Sequence, residues 1–445
     1  MILRRLYRLA HSVLTALLIV GLTLSVTPLP PAQAVKFTEF NVPTPNSAPR
    51  GITRGPDGNI WFTESLSNKI GRITPNGVIT EFTVGGVAIT SITTGPDGWL
   101  WYTRDSSGYI GRLNPATGAF TETFVDGGPT VIVAGPDGNL WFTKFNVHKI
   151  GRFNPTTGNL TDFPIRTGLN PNGITVGPDG NLWFAAQGSG HVGSITLGGI
   201  VSLFKLSGDK KPRQTTAGPD GKVWFTWYNS ALSSGVGQIT RSGQITTFTT
   251  GGDPYGITAG PDGVVWFARL YGGTVGRIHP QTGALAEYPT PSGGGPYWIT
   301  GTPDGNLWFT EGNGNKIGRL ALPTLSMSDA VTVTEGNIGA TTAALTVTLS
   351  FASDFTTTVD YTALDGTATI TDSDFPAATG VLTIPAGVTT RVITVAVNGD
   401  LAFEPDETFF IQLSNPVSGM LSPAQGRVTI LDDDAHKLFL PIIRR

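Results

Sequence analysis

The feature that most restricts this chain is a decapeptide, Gly55-Pro-Asp-Gly-Asn-Ile-Trp-Phe-Thr-Glu64, whose close copies begin at Gly55, Gly95, Gly135, Gly177, Gly218, Gly260 and Thr302. Spacings of 40, 40, 42, 41, 42 and 42 residues, with no helical periodicity between copies, predict an all-β ring of seven blades, a β-propeller. Within one copy, Pro56 presets φ at the second turn position, Asp57 suits the third and Gly58 closes the turn. Asn59 to Glu64 then reads as a strand with Ile60 and Phe62 on one face and Trp61 and Thr63 on the other. A sheet carrying bulk on both faces cannot bury itself alone, but it can between two neighbours in a closed ring.

Each repeat has four pieces, seen in the first as residues 48–53, 59–64, 69–73 and 78–82. The seventh copy lacks the fourth piece, and Phe37-Thr-Glu-Phe-Asn-Val42 at the other end of the repeat region matches it. The propeller is therefore expected over residues 35–323, with this early strand closing the last blade. The third piece carries a recurrent Ile-Gly-Arg, with Arg72, Arg112, Arg152, Arg277 and Arg319. The expected role is structural: glycine admits a close neighbour, and arginine packs over the Trp of its repeat.

Composition enters at three points. With 59 Gly, 32 Pro and no Cys, the chain suits turn-dense β-structure and excludes disulfides, thiolate zinc sites and a thiol nucleophile. Residues 1–34 place Arg4, Arg5 and Arg8 before an apolar run from Val13 to Val26 and end in Ala32-Gln33-Ala34, the pattern of a secretory signal peptide. A retained membrane anchor is the rival reading; after cleavage no transmembrane span is expected. The net charge of −3 conceals an asymmetry, since Ser326 to Asp434 holds 14 Asp/Glu against Arg391 and Arg427. Nothing in this balance calls for nucleic acid as a partner.

After Pro323 the period stops. Alternating strands such as Leu345–Leu349, Gly380–Ile384, Val392–Val397 and Arg427–Leu431 predict an immunoglobulin-like β-sandwich over residues 324–435, followed by a short basic tail, 436–445. Calcium takes six to eight hard oxygen ligands, which separated acidic clusters at one end of a sandwich can supply. A solvated acidic edge is the alternative.

The motifs Pro-x-Gly-Ile-Thr, Gly-Pro-Asp-Gly-Asn-Leu-Trp-Phe-Thr-Glu and Lys-Ile-Gly-Arg-Ile resemble the virginiamycin B lyase family over Val35 to about Leu322. The resemblance implies a seven-bladed propeller, and in founding members a magnesium-dependent elimination that opens the lactone of streptogramin B antibiotics. It also implies two catalytic histidines and a glutamate. Tyr255 and Tyr297 stand at the histidine positions, and Glu311 is the candidate acid. Tyrosine is a poor general base near neutral pH. Val333-Thr-Glu-Gly336, Ser373-Asp-Phe375, Asp400 to Phe409 and the closing Asp432-Asp-Asp434 resemble the Calx-β family. That resemblance implies Ca2+ bound by Glu335, Asp374, Asp400, Glu404, Asp432, Asp433 and Asp434.

Hairpin geometry brings the residue before each Gly-Ile-Thr and the residue after each Trp-Phe-Thr to one face of the ring. The candidate ligand-binding set is Arg50, Glu64, Arg104, Lys144, Arg213, Trp227 and Arg269, alongside Tyr255, Tyr297 and Glu311. Five cations against two carboxylates favour an anionic ligand such as an acidic glycan. The expected function is that of a secreted or cell-surface binding and adhesion protein; the alternative is a streptogramin-type lyase.

Overall fold

The computed structural model describes residues 35–229, 233–328, 330–422 and 424–434; the expected signal peptide and the basic tail lie outside them. Among the described residues there are only strands and turns, and no helix is long and apolar enough to cross a membrane.

Seven antiparallel four-stranded sheets make up residues 36–321, six of them each from one repeat and the seventh from the last repeat together with Lys36–Asn41. The turn works as its residues dictate. The Gly58 amide donates to the Gly55 carbonyl, and Asp57 accepts from the amide of Asn59 and, at 3.0 Å, from the indole of Trp61. The same Asp–Trp bond recurs at Asp97, Asp137, Asp179, Asp220 and Asp262. Gly55 is required because a Cβ there would stand 2.4 Å from the Trp61 ring. The seven repeat tryptophans are all buried between blades, and Arg72, Arg112, Arg152, Arg277 and Arg319 lie over the Trp of their own repeats.

The ring closes as the strand count requires. Lys36–Asn41 pairs antiparallel with Lys316–Ala321, setting Phe37 opposite Leu320 and Asn41 opposite Lys316. A second device joins neighbouring blades. The Thr of Trp-Phe-Thr accepts from an amide of its own inner strand and donates to an inner-strand carbonyl of the next blade, as Thr226 does from Gln214 to Tyr255. Thr310 donates in the same way to Arg50 at 2.7 Å, bonding the last blade to the first.

Behind the ring, a four-stranded sheet (Thr390–Gly399, Gly339–Leu349, Thr324–Met327, Met420–Leu421) faces a five-stranded one (Ala330–Thr334, Gln425–Leu431, Glu407–Val417, Thr357–Leu364, Thr379–Ile384). Alternating residues such as Leu345, Val347, Val359, Ile393, Phe409 and Ile411 fill the space between. Propeller and sandwich form one compact unit. The sandwich meets the ring through the turns at its propeller-facing end. Phe355 enters the core of blades six and seven, Asp354 pairs with Arg277 and bonds Tyr288, and the Ser418 amide donates to Asp262 at the turn face of the ring.

Candidate functional site

Every inner strand carries a β-bulge at the same place. In blade one, Pro49 opposes Glu64 and Ile52 opposes Phe62, so Arg50 and Gly51 together face Thr63. A bulge re-aims the extra side chain, and here it turns the residue before each Gly-Ile-Thr toward the ring axis. Arg50, Thr90, Thr130, Tyr255 and Tyr297 accordingly line one cavity of about 60 Å3, with Asp105 and Trp298. Tyr255 and Tyr297 stack with centroids 4.2 Å apart; Arg50 lies over Tyr297 and Arg213 over Tyr255, each at 5.4 Å.

The residues after Trp-Phe-Thr lie elsewhere. Glu64 sits in regular register opposite Pro49, so its side chain leaves the sheet on the Phe62 face and enters the contact between blades. This corrects the expectation of a shared cationic mouth. Trp227 is no aromatic platform: it is 1% exposed and its indole donates to the Val236 carbonyl. Lys144 is also 1% exposed and pairs with Asp162 at 2.7 Å. Arg104 pairs with Glu122, Arg213 with Asp253 and Arg269 with Glu287. Each acid balances a cation counted as free, leaving Arg50 as the one cation of the five outside an ion pair among the described residues.

Burial, with Glu81 nearby, pushes Glu64 up to about 7, and burial raises Glu311, whose carboxylate accepts from Ser292. Glu311 and Glu64 each keep one carboxylate oxygen without a hydrogen-bond partner. Burial and the adjacent Tyr255 push the Tyr297 phenol far above its ordinary range, which removes it as a base near neutral pH. Among the described residues no three metal-ligating side chains converge in the mouth.

Two features of the mouth escaped sequence reasoning. Trp298 takes the place held by Gly51, Gly173 and Gly256 in other blades, and it packs against the clusters around both Ile52 and Ile174. It thus reaches across the axis. Toward the rim, a larger cavity of about 430 Å3 is lined by Arg213, Tyr228, Asp253, Tyr271 and their neighbours. The signal for Trp298 was the break in Gly-Ile itself, in Tyr297-Trp-Ile299.

The acidic residues of the sandwich gather at the end away from the ring. Ala330–Thr334 and Gln425–Leu431 run parallel with Thr334 beside Leu431, so Glu335 and Asp432 emerge side by side. Glu335, Asp432 and Asp434 bring carboxylate oxygens within 4.8 Å of one another, as do Asp374, Glu404 and Glu407. The Glu404 amide donates to Asp432, tying the two groups together. Glu335 is 8% exposed, and no hydrogen-bond donor among the described residues meets its carboxylate. Burial, and then Asp400, Asp432, Glu404 and Asp434, push it up to about 7. A buried carboxylate aimed at other carboxylates, all hard oxygen donors, fits calcium. Asp400 stands beside this group, its carboxylate accepting from the Ala402 amide. Asp433 is turned aside to accept from the Gly336 amide, and Glu407, absent from the expected ligand set, takes a place in the second group.

The comparisons agree with this architecture. The virginiamycin B lyase family matches residues 32–90, 85–323 and 168–366, and the Calx-beta domain matches residues 321–434. A solved streptogramin B lyase is similar over 65% of this chain and 98% of its own, at 32% identity and TM-score 0.60. The virginiamycin B lyase of Staphylococcus aureus is similar over 65% and 99%, at 31% identity and TM-score 0.60. By sequence, the virginiamycin B lyase of Bacillus licheniformis is 49% identical over 45 residues, 10% of this chain and 15% of that protein. The chain thus aligns with only about 15% of the length of that curated relative. The sodium/calcium exchanger Calx of Drosophila melanogaster is 40% identical over 83 residues, 18% of this chain and 9% of that one. With most of its length inside the family's match and the same ring of blades, the chain belongs to the virginiamycin B lyase family, and a Calx-β domain follows its propeller.

Proposed function

We propose that the chain is an exported binding protein, secreted or held at the cell surface, whose propeller mouth takes an extracellular ligand and whose Calx-β domain takes calcium. The observation that carries this reading is the Tyr255–Tyr297 stack, flanked by Arg50 and Arg213, at the positions where the family resemblance implies imidazoles. Stacked phenols under guanidinium groups present a flat recognition surface and no base. Arg50 is the cation left to meet a ligand's negative charge, and the rim cavity of about 430 Å3 offers Tyr228 and Tyr271 to a sugar ring. An acidic glycan suits both. The Glu335 and Glu407 groups support the calcium part of the proposal, on which a role in adhesion would depend.

Two measurements test it. An acidic-glycan array should retain the protein and lose Arg50→Glu, whereas equal retention of both would remove the mouth from the account. Incubation with a streptogramin B and magnesium should return the antibiotic intact by mass spectrometry. A linear isomer of unchanged mass would establish the lyase reading instead.

A further inference from the structure

The acidic end of the sandwich is also its most apolar exposed end. Ile338 is 91% exposed, Leu401 67% and Phe403 52%. The three are neighbours by topology: Gly339 pairs with Gly399, so the loop ending in Ile338 lies beside the one that carries Asp400, Leu401 and Phe403. The same loops bear Glu335 and Glu404, members of the two carboxylate groups. Glu335, nine-tenths buried with no donor at its carboxylate, gives the cluster a reason to hold a cation beyond acidity alone. The propeller occupies the other end of the sandwich, at Asp354, Phe355 and Ser418, so among the described residues it does not reach the loops of Ile338 and Leu401.

Apolar tips interleaved with carboxylates suit one kind of surface. The side chains project from loop ends rather than lining a groove, so they match an interfacial layer better than a shaped pocket. The carboxylates would be repelled by an anionic surface until divalent cations stand between them, after which headgroup phosphates can complete the oxygen shell. We propose that this end docks on an anionic lipid surface when calcium is bound, with Ile338 and Leu401 entering the interfacial layer beside the ions. The proposal rests on the calcium reading given above. It sets the propeller on the far side of the sandwich from the lipid.

The test uses the full chain and vesicles of phosphatidylcholine with or without phosphatidylglycerol, read by co-sedimentation, with the calcium-induced rise in Tm measured in parallel. The expected result is retention on phosphatidylglycerol vesicles in calcium, release by chelator, and about a tenfold loss in an Ile338→Ser/Leu401→Ser variant that keeps its calcium-induced rise. A normal rise in Tm without retention would overturn docking and leave calcium binding standing. No rise in Tm at all would overturn the calcium reading and the docking with it. Equal retention on pure phosphatidylcholine would overturn the anionic requirement. A calcium-dependent dimer in vesicle-free solution that the variant abolishes would assign the patch to a second copy of this chain and overturn the lipid.

Discussion

The guanidinium of Arg277 lies 4.2 Å from the centre of the Phe355 ring, so an arginine of the sixth blade is capped by a phenylalanine of the sandwich. Its counterparts Arg72, Arg112, Arg152 and Arg319 keep some exposure, whereas Arg277 has none. The contact ties the propeller and the sandwich together within one compact unit. Phe355→Ala should therefore lower stability by about 3 kcal/mol. It should also split a single calorimetric transition into two, and an unsplit, unshifted transition would show the capping to be incidental.

Ring closure makes a second prediction. Removing residues 35–42 exposes the edge of Lys316–Ala321 and should lower Tm sharply. The milder Thr310→Val keeps shape but deletes both the bond to the Arg50 carbonyl and the acceptor of the Trp298 amide, and should cost about 2 kcal/mol in denaturant melts.

The buried cations between blades should behave as structure. Lys144→Glu would set a carboxylate against Asp162 in a site that water barely reaches, and the loss should be about 3 kcal/mol or more by chemical denaturation. A variant as stable as its parent would return Lys144 to the list of ligand contacts.

The acidic end makes stability depend on pH and calcium together. Glu335 titrates near 7 in the fold against an ordinary value of 4.5, and Glu407 is raised in the same sense. The folded state then binds these protons more tightly than the unfolded one. Their contribution is full below 4.5 and is lost as pH rises from 4.5 to 7. Without calcium, Tm should fall across that window; with calcium it should recover at pH 8 and recover little at pH 5, because protons compete for the same oxygens. Glu335→Gln should raise Tm in chelator at pH 8 and reduce the calcium-induced rise. Glu64, raised to about 7 inside the propeller, sets a part of the pH slope that calcium cannot restore.

How far the sequence reveals this molecule depends on what repeats. The turn, the Trp strand and the Ile-Gly-Arg strand recur at a fixed interval, so the ring was legible, and counting strands in the seventh copy was enough to find its closure. Hairpin direction places Glu64 and Arg50 at the same height, but height says nothing about lateral aim. The bulge that separates them appears only when Pro49 and Ile52 are seen to face Glu64 and Phe62. The acids that neutralise Arg104 and Lys144 stand on outer strands, at Glu122 and Asp162, in register positions that spacing along one strand cannot give. The parallel pairing of Thr334 with Leu431 is what sets Glu335 beside Asp432, and it joins segments nearly a hundred residues apart.

The strand that seals the propeller bears on how the chain must be made. Lys36–Asn41 emerges long before its partner Lys316–Ala321, and no other strand in the ring takes its place. Six blades can form as they are synthesised, each from contiguous sequence, while the earliest strand waits unpaired with Phe37 and Phe40 uncovered. The slow step in assembly should thus be one late, long-range docking event rather than growth of the blades. A chain crossing a membrane unfolded would be spared premature pairing of that strand, and a chain halted before residue 321 would be left with an open edge prone to association.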